Sequence, residues 1–90
     1  MKLKYEFILT DMGDEIDAVP VGENASEFHG MLRLDKDSAE VLELLKEDTT
    51  PAEVHQKMIE RHPESTTDEI GFALAEFFNK LISEGVLSVP

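Results

Sequence analysis

The 90-residue chain has no cysteine and no tryptophan. Without thiols it cannot form disulfides, hold zinc through sulfur or use a thiolate nucleophile. Cations are scarce as well: eight Lys and Arg stand against twenty Asp and Glu, a net charge of −12. Such a surface repels phosphate backbones and anionic lipid headgroups, so neither nucleic acid nor membrane is an expected partner. The acidity is not a detachable tail, because seven acidic residues fall in 1–34, eight in 35–62 and five in 63–90. Long apolar runs are missing too. MKLKYEFILT carries two lysines and then alternates, so it lacks the continuous core of a signal peptide, and no run approaches the ~20 residues of a membrane span. The expectation is a cytoplasmic protein. What is present, 41% hydrophobic and 31% charged residues over one domain's length, suits a single small core and excludes both a disordered chain and a two-domain enzyme.

Periodicity divides the chain into a β half and an α half. Leu3, Tyr5, Phe7 and Leu9 alternate with Lys4, Glu6, Ile8 and Thr10, which predicts a half-buried strand over about 3–10. Asp11 to Glu15 reads as a hairpin loop, and Ile16 to Val21 as a second strand, with Pro20 restricted to a strand end, an edge or a bulge because it has no donor. A third strand is expected over about 27–34, with Phe28, Leu32 and Leu34 on one face and Gly30 between them. Beyond it the period becomes helical. Asp35 or Asp37 is placed to cap a helix over about 36–47, whose stripe is Leu34, Ser38, Val41, Leu42 and Leu45. Thr50-Pro51-Ala52-Glu53 combines an N-cap, a proline at the first helical position and a glutamate that reaches back to the cap, starting a helix over about 51–62 with Val54, Met58 and Ile59 inward. Thr66 and Glu69 repeat that spacing before a helix over about 67–84, ended by Gly85. Val86 to Val89 is a short extended tail lying on the sheet or the core. Three strands and then three helices make one α+β domain, a meander covered by a helical trio.

The third helix has a wider apolar arc than a small core requires. Ile70, Ala73, Leu74, Phe77 and Leu81 form a stripe expected to face the core; Gly71, Ala75, Phe78 and Ile82 form a second, about a quarter turn away. That second stripe either packs on another layer or lines a groove for an apolar partner. The third strand completes such a groove if it lies at the sheet edge, where free N–H and C=O groups accept an added strand and Gly30 admits a close backbone; otherwise Gly30 marks a bend, and Glu27 and Arg33 protect the edge. His29, His55 and His62 are the only imidazoles, and His55 and His62 are seven apart on one helix, about 10 Å, too far to ligate one metal by themselves. No metal, cofactor or catalytic residue is expected, since Ser38, Ser65 and Ser83 lack a nucleophile-elbow context and no glycine-rich phosphate loop exists. The competing architecture is a helix-turn-helix with a wing, acting as a transcriptional regulator or a protein-interaction module. Its reading helix would offer Asp68, Glu69, Glu76 and Glu84 against Lys80 alone, the wrong chemistry for base edges and phosphates.

Taken together, Met31-Leu32-Arg33-Leu34-Asp35, Ala39, Val41-Leu42, Leu44-Leu45, Thr50-Pro51-Ala52-Glu53-Val54, Glu69-Ile70, Phe77, Leu81 and Gly85-Val86-Leu87 resemble the PqqD-like peptide chaperones, also called RiPP recognition elements. The resemblance covers about 28–88 and rests on hydrophobic and capping positions. It implies a winged helix-turn-helix-like α+β fold, in which a three-stranded antiparallel N-terminal sheet precedes three helices and residues 1–90 form a single peptide-binding domain. It also implies a protein without catalysis of its own, which takes the leader of a ribosomally made precursor peptide as a strand beside the third strand and against the third helix. The peptide is then presented to a maturation enzyme, commonly a radical-SAM protein. The family's groove maps onto Phe28, His29, Gly30, Met31, Leu32 and Arg33, and onto Gly71, Leu74, Ala75, Phe78 and Ile82.

Overall fold

Alternation in the N-terminal half and capped helices in the C-terminal half dictate the architecture seen in the computed structural model, which describes residues 1–22 and 30–88. The elements run β1 (Lys2–Leu3), β2 (Glu6–Asp11), β3 (Ile16–Val21), β4 (Leu32–Leu34), α1 (Lys36–Leu44), α2 (Pro51–Arg61), α3 (Thr67–Ser83) and β5 (Leu87–Ser88). The fold class is α+β: an antiparallel sheet ordered β2-β3-β4 lies before three helices, and β1 and β5 make a separate two-stranded ribbon.

The expected first strand is two strands. Lys2 and Leu3 pair with Ser88 and Leu87, and Lys4 N–H donates to the Val86 carbonyl at 2.9 Å, whereas Glu6 onward pairs with β3. The chain changes partners at Lys4-Tyr5, so one alternating run serves two sheets. β3 keeps its expected range, with Phe7 opposite Pro20. β4 pairs only with Ile16 to Ala18, so Pro20 sits where no described strand needs its missing donor on the other side. Among the described residues of the third expected strand, β4 covers only Leu32 onward, while Gly30 lies in a bend at φ +137°, a conformation that favours glycine. Residues 27–29 of that expectation lie outside the described residues.

The helix ends follow their capping chemistry. Asp35 accepts from Ser38 N–H at 2.7 Å to start α1. Thr50 Oγ1 accepts from Glu53 N–H at 3.2 Å, but the Glu53 carboxylate takes the Thr49 hydroxyl at 3.0 Å instead of reaching back to the cap. The expected reciprocal bond at α2 is replaced by a bond to the side chain one residue earlier. At α3 both halves of the capping box form, Thr66 Oγ1 with Glu69 N–H and Glu69 Oε1 with Thr66 N–H, each at 3.1 Å. Gly85, at φ +75°, closes the same helix: its N–H donates to Ile82 and that of Val86 to Leu81, a Schellman arrangement.

One core joins the layers. Phe7, Ala18, Leu32 and Leu34 enter it from the sheet, Val41, Leu42 and Leu45 from α1 and the turn after it, and Val54 and Met58 from α2. Ile70, Leu74, Phe77 and Leu81 come from α3, and Val86 and Leu87 follow. Each such fully buried aliphatic or aromatic side chain contributes about 1.5–3 kcal/mol of transfer free energy. α3 packs on α2 and β5, while α1 packs on α2, β3 and β4. Ala73, expected on the core stripe, is exposed because the α1–α2–α3 junction opens into a cleft at that point.

Candidate functional site

The two stripes of α3 have different surroundings. Ile70, Leu74, Phe77 and Leu81 are buried, between 0% and 9% exposed. Gly71 and Phe78 are only half-buried, Ala75 is exposed and Ile82 is 43% exposed. Gly71, Leu74, Ala75 and Phe78 meet Pro51, Ala52 and His55 of α2 around an open groove of about 230 Å³. Pro51 and Ala52 are there because the first turn of α2 is built by the Thr50 cap, and Gly71 because the His55 ring lies on it. A methyl at Gly71 would meet His55 Cε1 at 3.4 Å and Nε2 at 3.5 Å. The ring is oriented by its Nε2, which donates to the Thr67 carbonyl at 3.0 Å, so one wall of the groove is an imidazole fixed on the first turn of α3. No Asp, Glu, Lys or Arg is in the lining of this groove.

The strand half of the expected site is not part of this groove's lining. β4 is an edge of the β2-β3-β4 sheet, with no second neighbour among the described residues. Leu32 and Leu34 point into the core, and between them Arg33 is exposed, with its Nε 3.7 Å from Glu15 Oε2. Met31 is 41% exposed and Gly30 is exposed. A Cβ at Gly30 would meet nothing within 4 Å, so the residue serves a backbone turn and not a close approach within this chain. Phe28 and His29 lie outside the described residues. The 230 Å³ groove thus gathers four of the expected residues, Gly71, Leu74, Ala75 and Phe78, while Ile82 and the β4 residues are not in its lining.

Two features of the surface do not follow from the stripes in the sequence. Phe72 is 68% exposed and lies one turn before Ala75, so it extends the apolar surface of α3 away from α2. Only its position just outside both stripes hinted at this. The second feature is at His62, the residue that ends α2. Its Nδ1 is 3.1 Å from Glu64 Oε1, and its Nε2 is 3.0 Å from Glu40 Oε1 and 4.0 Å from Asp37 Oδ1. The hydrogen bonds to Glu64 and then to Glu40 hold the imidazole above its ordinary pKa. Glu64 is held below the usual carboxylate value, first by a backbone hydrogen bond and then by His62. The spacing of His55 and His62 could not show this, because two of the partners of His62, Glu40 and Asp37, come from α1. A cleft of about 140 Å³ adjoins the cluster, with Val41, Met58, Ile70, Leu74 and Phe77 beneath and Asp37, Ser38, His62, Ser65 and Glu69 at its rim.

No helix among the described residues is long and apolar enough to cross a membrane. No family model matches the sequence, and no curated protein does. Among solved structures, the chain is similar to TbiB1 in complex with the TbiA(beta) leader peptide. The TM-score is 0.75 at 17% identity, over 100% of this chain and 98% of that one. That likeness is one of fold.

Proposed function

We propose that the chain is a non-catalytic adaptor of the PqqD-like, or RiPP recognition element, kind. It binds the leader of a ribosomally made precursor peptide and presents it to a modifying enzyme in the cytoplasm, with residues 1–90 as the peptide-binding domain. The observation that carries this reading is the fold shared along the whole chain with a protein solved in complex with a leader peptide. Two features of this molecule support it. β4 is a sheet edge able to accept a further strand through backbone hydrogen bonds. α3 carries an open apolar groove, continued on the surface by Phe72, that suits side-chain anchors.

In this reading the peptide's backbone runs beside Gly30 to Arg33, and apolar side chains of the peptide settle along Gly71, Leu74, Ala75, Phe78 and Ile82. Leu32 and Leu74 act from beneath, since both are buried, Leu32 through its backbone and Leu74 as the groove floor. The partner enzyme is one that acts on peptides, of the radical-SAM type or another modifying class. The test is titration of a fluorescently labelled leader peptide, taken from the precursor encoded beside the gene, against the untagged protein. Saturable one-to-one binding that survives moderate salt supports the adaptor. Failure to bind the leader, together with salt-sensitive binding to duplex DNA, would assign the chain to the regulator class instead.

A further inference from the structure

We propose that His62, Glu40 and Asp37 form a binding site for a divalent transition-metal ion of the zinc class where α1 meets the end of α2. One nitrogen, two carboxylate oxygens and a neighbouring cleft carry the inference, which is independent of the peptide-binding reading. A neutral imidazole has one N–H and one lone pair. Both ring nitrogens of His62 face carboxylates, Nδ1 at 3.1 Å from Glu64 and Nε2 at 3.0 Å from Glu40. Protonated, the ring donates to Glu64 from Nδ1 and to Glu40 from Nε2; with the one remaining proton kept on the Glu64 side, the Nε2 lone pair points at Glu40 and Asp37, and a divalent cation between them takes the place of the second proton.

His62 Nε2 and one oxygen each from Glu40 and Asp37 all lie within 4.8 Å of one another. Zinc binds nitrogen and carboxylate oxygen at about 2.0–2.2 Å, so its ligand atoms stand about 3.3–3.6 Å apart in a tetrahedron. Glu40, at 3.0 Å from His62 Nε2, needs to open by only a few tenths of an ångström, and the Asp37 side chain, 77% exposed, is free to close its gap from 4.0 Å. Asp37 and Glu40 are three apart on α1 and so share a face. Arg61 Nη1 holds the other Glu40 oxygen at 3.2 Å, leaving Oε1 directed at the site. Glu64 behind Nδ1 completes a carboxylate–imidazole–metal relay of the kind that fixes ring orientation and raises ligand basicity. The adjoining 140 Å³ cleft gives water access to the open coordination positions. A net charge of −12 concentrates cations around the chain.

The experiment is calorimetric titration of zinc chloride into the untagged, chelator-stripped protein at about pH 7.5, where the imidazole gives up its proton to the metal. Cobalt absorption spectra provide a second readout. One zinc per chain with micromolar affinity is expected, together with a cobalt spectrum showing nitrogen–oxygen ligation and no comparable binding of magnesium. His62→Gln and Asp37→Asn should each weaken zinc at least about tenfold, Glu64→Gln by about 10–100-fold, and His55→Gln not at all. Asp37→Asn alters a side chain 77% exposed, so it keeps the test valid if His62→Gln folds poorly. Absence of zinc binding at millimolar concentration, or binding unchanged in both His62→Gln and Asp37→Asn, would overturn the proposal.

Discussion

Gly71→Ala should separate the stability of the fold from the use of the groove. Glycine inside a helix costs about 0.5–1 kcal/mol relative to alanine, and Gly71 sits within α3 with no positive φ to demand it. The added methyl would stand 3.4 Å from His55 Cε1 and 3.5 Å from Nε2, ordinary contact with the end of a side chain that can shift by tenths of an ångström. If the ring does shift, the loss is bounded by its single bond to the Thr67 carbonyl, about 0.5–1.5 kcal/mol. The two terms nearly cancel, so the net effect on folding lies within about 1 kcal/mol of zero, a melting-temperature change of no more than about 4–8 °C. The same methyl occupies groove volume that a peptide side chain would fill. Displacing one methylene's worth of apolar contact costs about 0.8 kcal/mol, roughly fourfold in Kd. Thermal melts and leader titrations on the two proteins read both numbers. A destabilisation well beyond 1 kcal/mol would mean that Gly71 is required by packing closer than the His55 contact. Unchanged leader affinity in a stable Gly71→Ala protein would remove the groove from the binding site.

The remaining predictions concern caps, core and pH. Thr66→Ala should cost about 1–2 kcal/mol in urea denaturation and Thr50→Ala about 0.5–1 kcal/mol, because only α3 has a complete capping box; equal costs would contradict that difference. Phe77→Ala should cost about 3–5 kcal/mol, since Phe77 is 9% exposed in the core, and Phe78→Ala roughly half as much, with reversal of that order refuting the assignment of the two stripes. Glu69 is held below its usual value of 4.5 by the backbone and then the side chain of Thr66, so its ionised form stabilises the fold above that value and the contribution disappears as pH falls through the lowered value. The stability difference between wild type and Glu69→Gln should therefore be larger at about pH 6 than at about pH 3, and a pH-independent difference would contradict it.

Much of the fold is legible because local signals and tertiary needs agree. Thr50-Pro51, Thr66 with Glu69, and Gly85 mark helix ends that need no long-range information. The Phe7 alternation finds its core face. The break at Lys4-Tyr5 is not legible, since it depends on β5, at the far end of the chain, drawing Leu3 to Leu87 while Glu6 pairs with Val21. The expected third strand likewise does not run through Gly30 and Met31 into β4, because period-two hydrophobicity does not reveal that Gly30 takes a positive φ. In the candidate site, periodicity separated Phe78 from Phe77 but could not say what would stand opposite. His55 packing on Gly71, and Glu40 and Asp37 meeting His62, are consequences of how α1, α2 and α3 dock, which no single helix encodes.

The central claim is strand addition along β4. The most direct measurement is backbone hydrogen exchange, resolved by residue, with and without the leader peptide. Strand addition predicts slowed exchange at Met31 to Leu34, and perturbed side-chain signals of Phe78 and Ile82, in the same titration. Leader binding that leaves β4 exchange unchanged and protects another surface would contradict it.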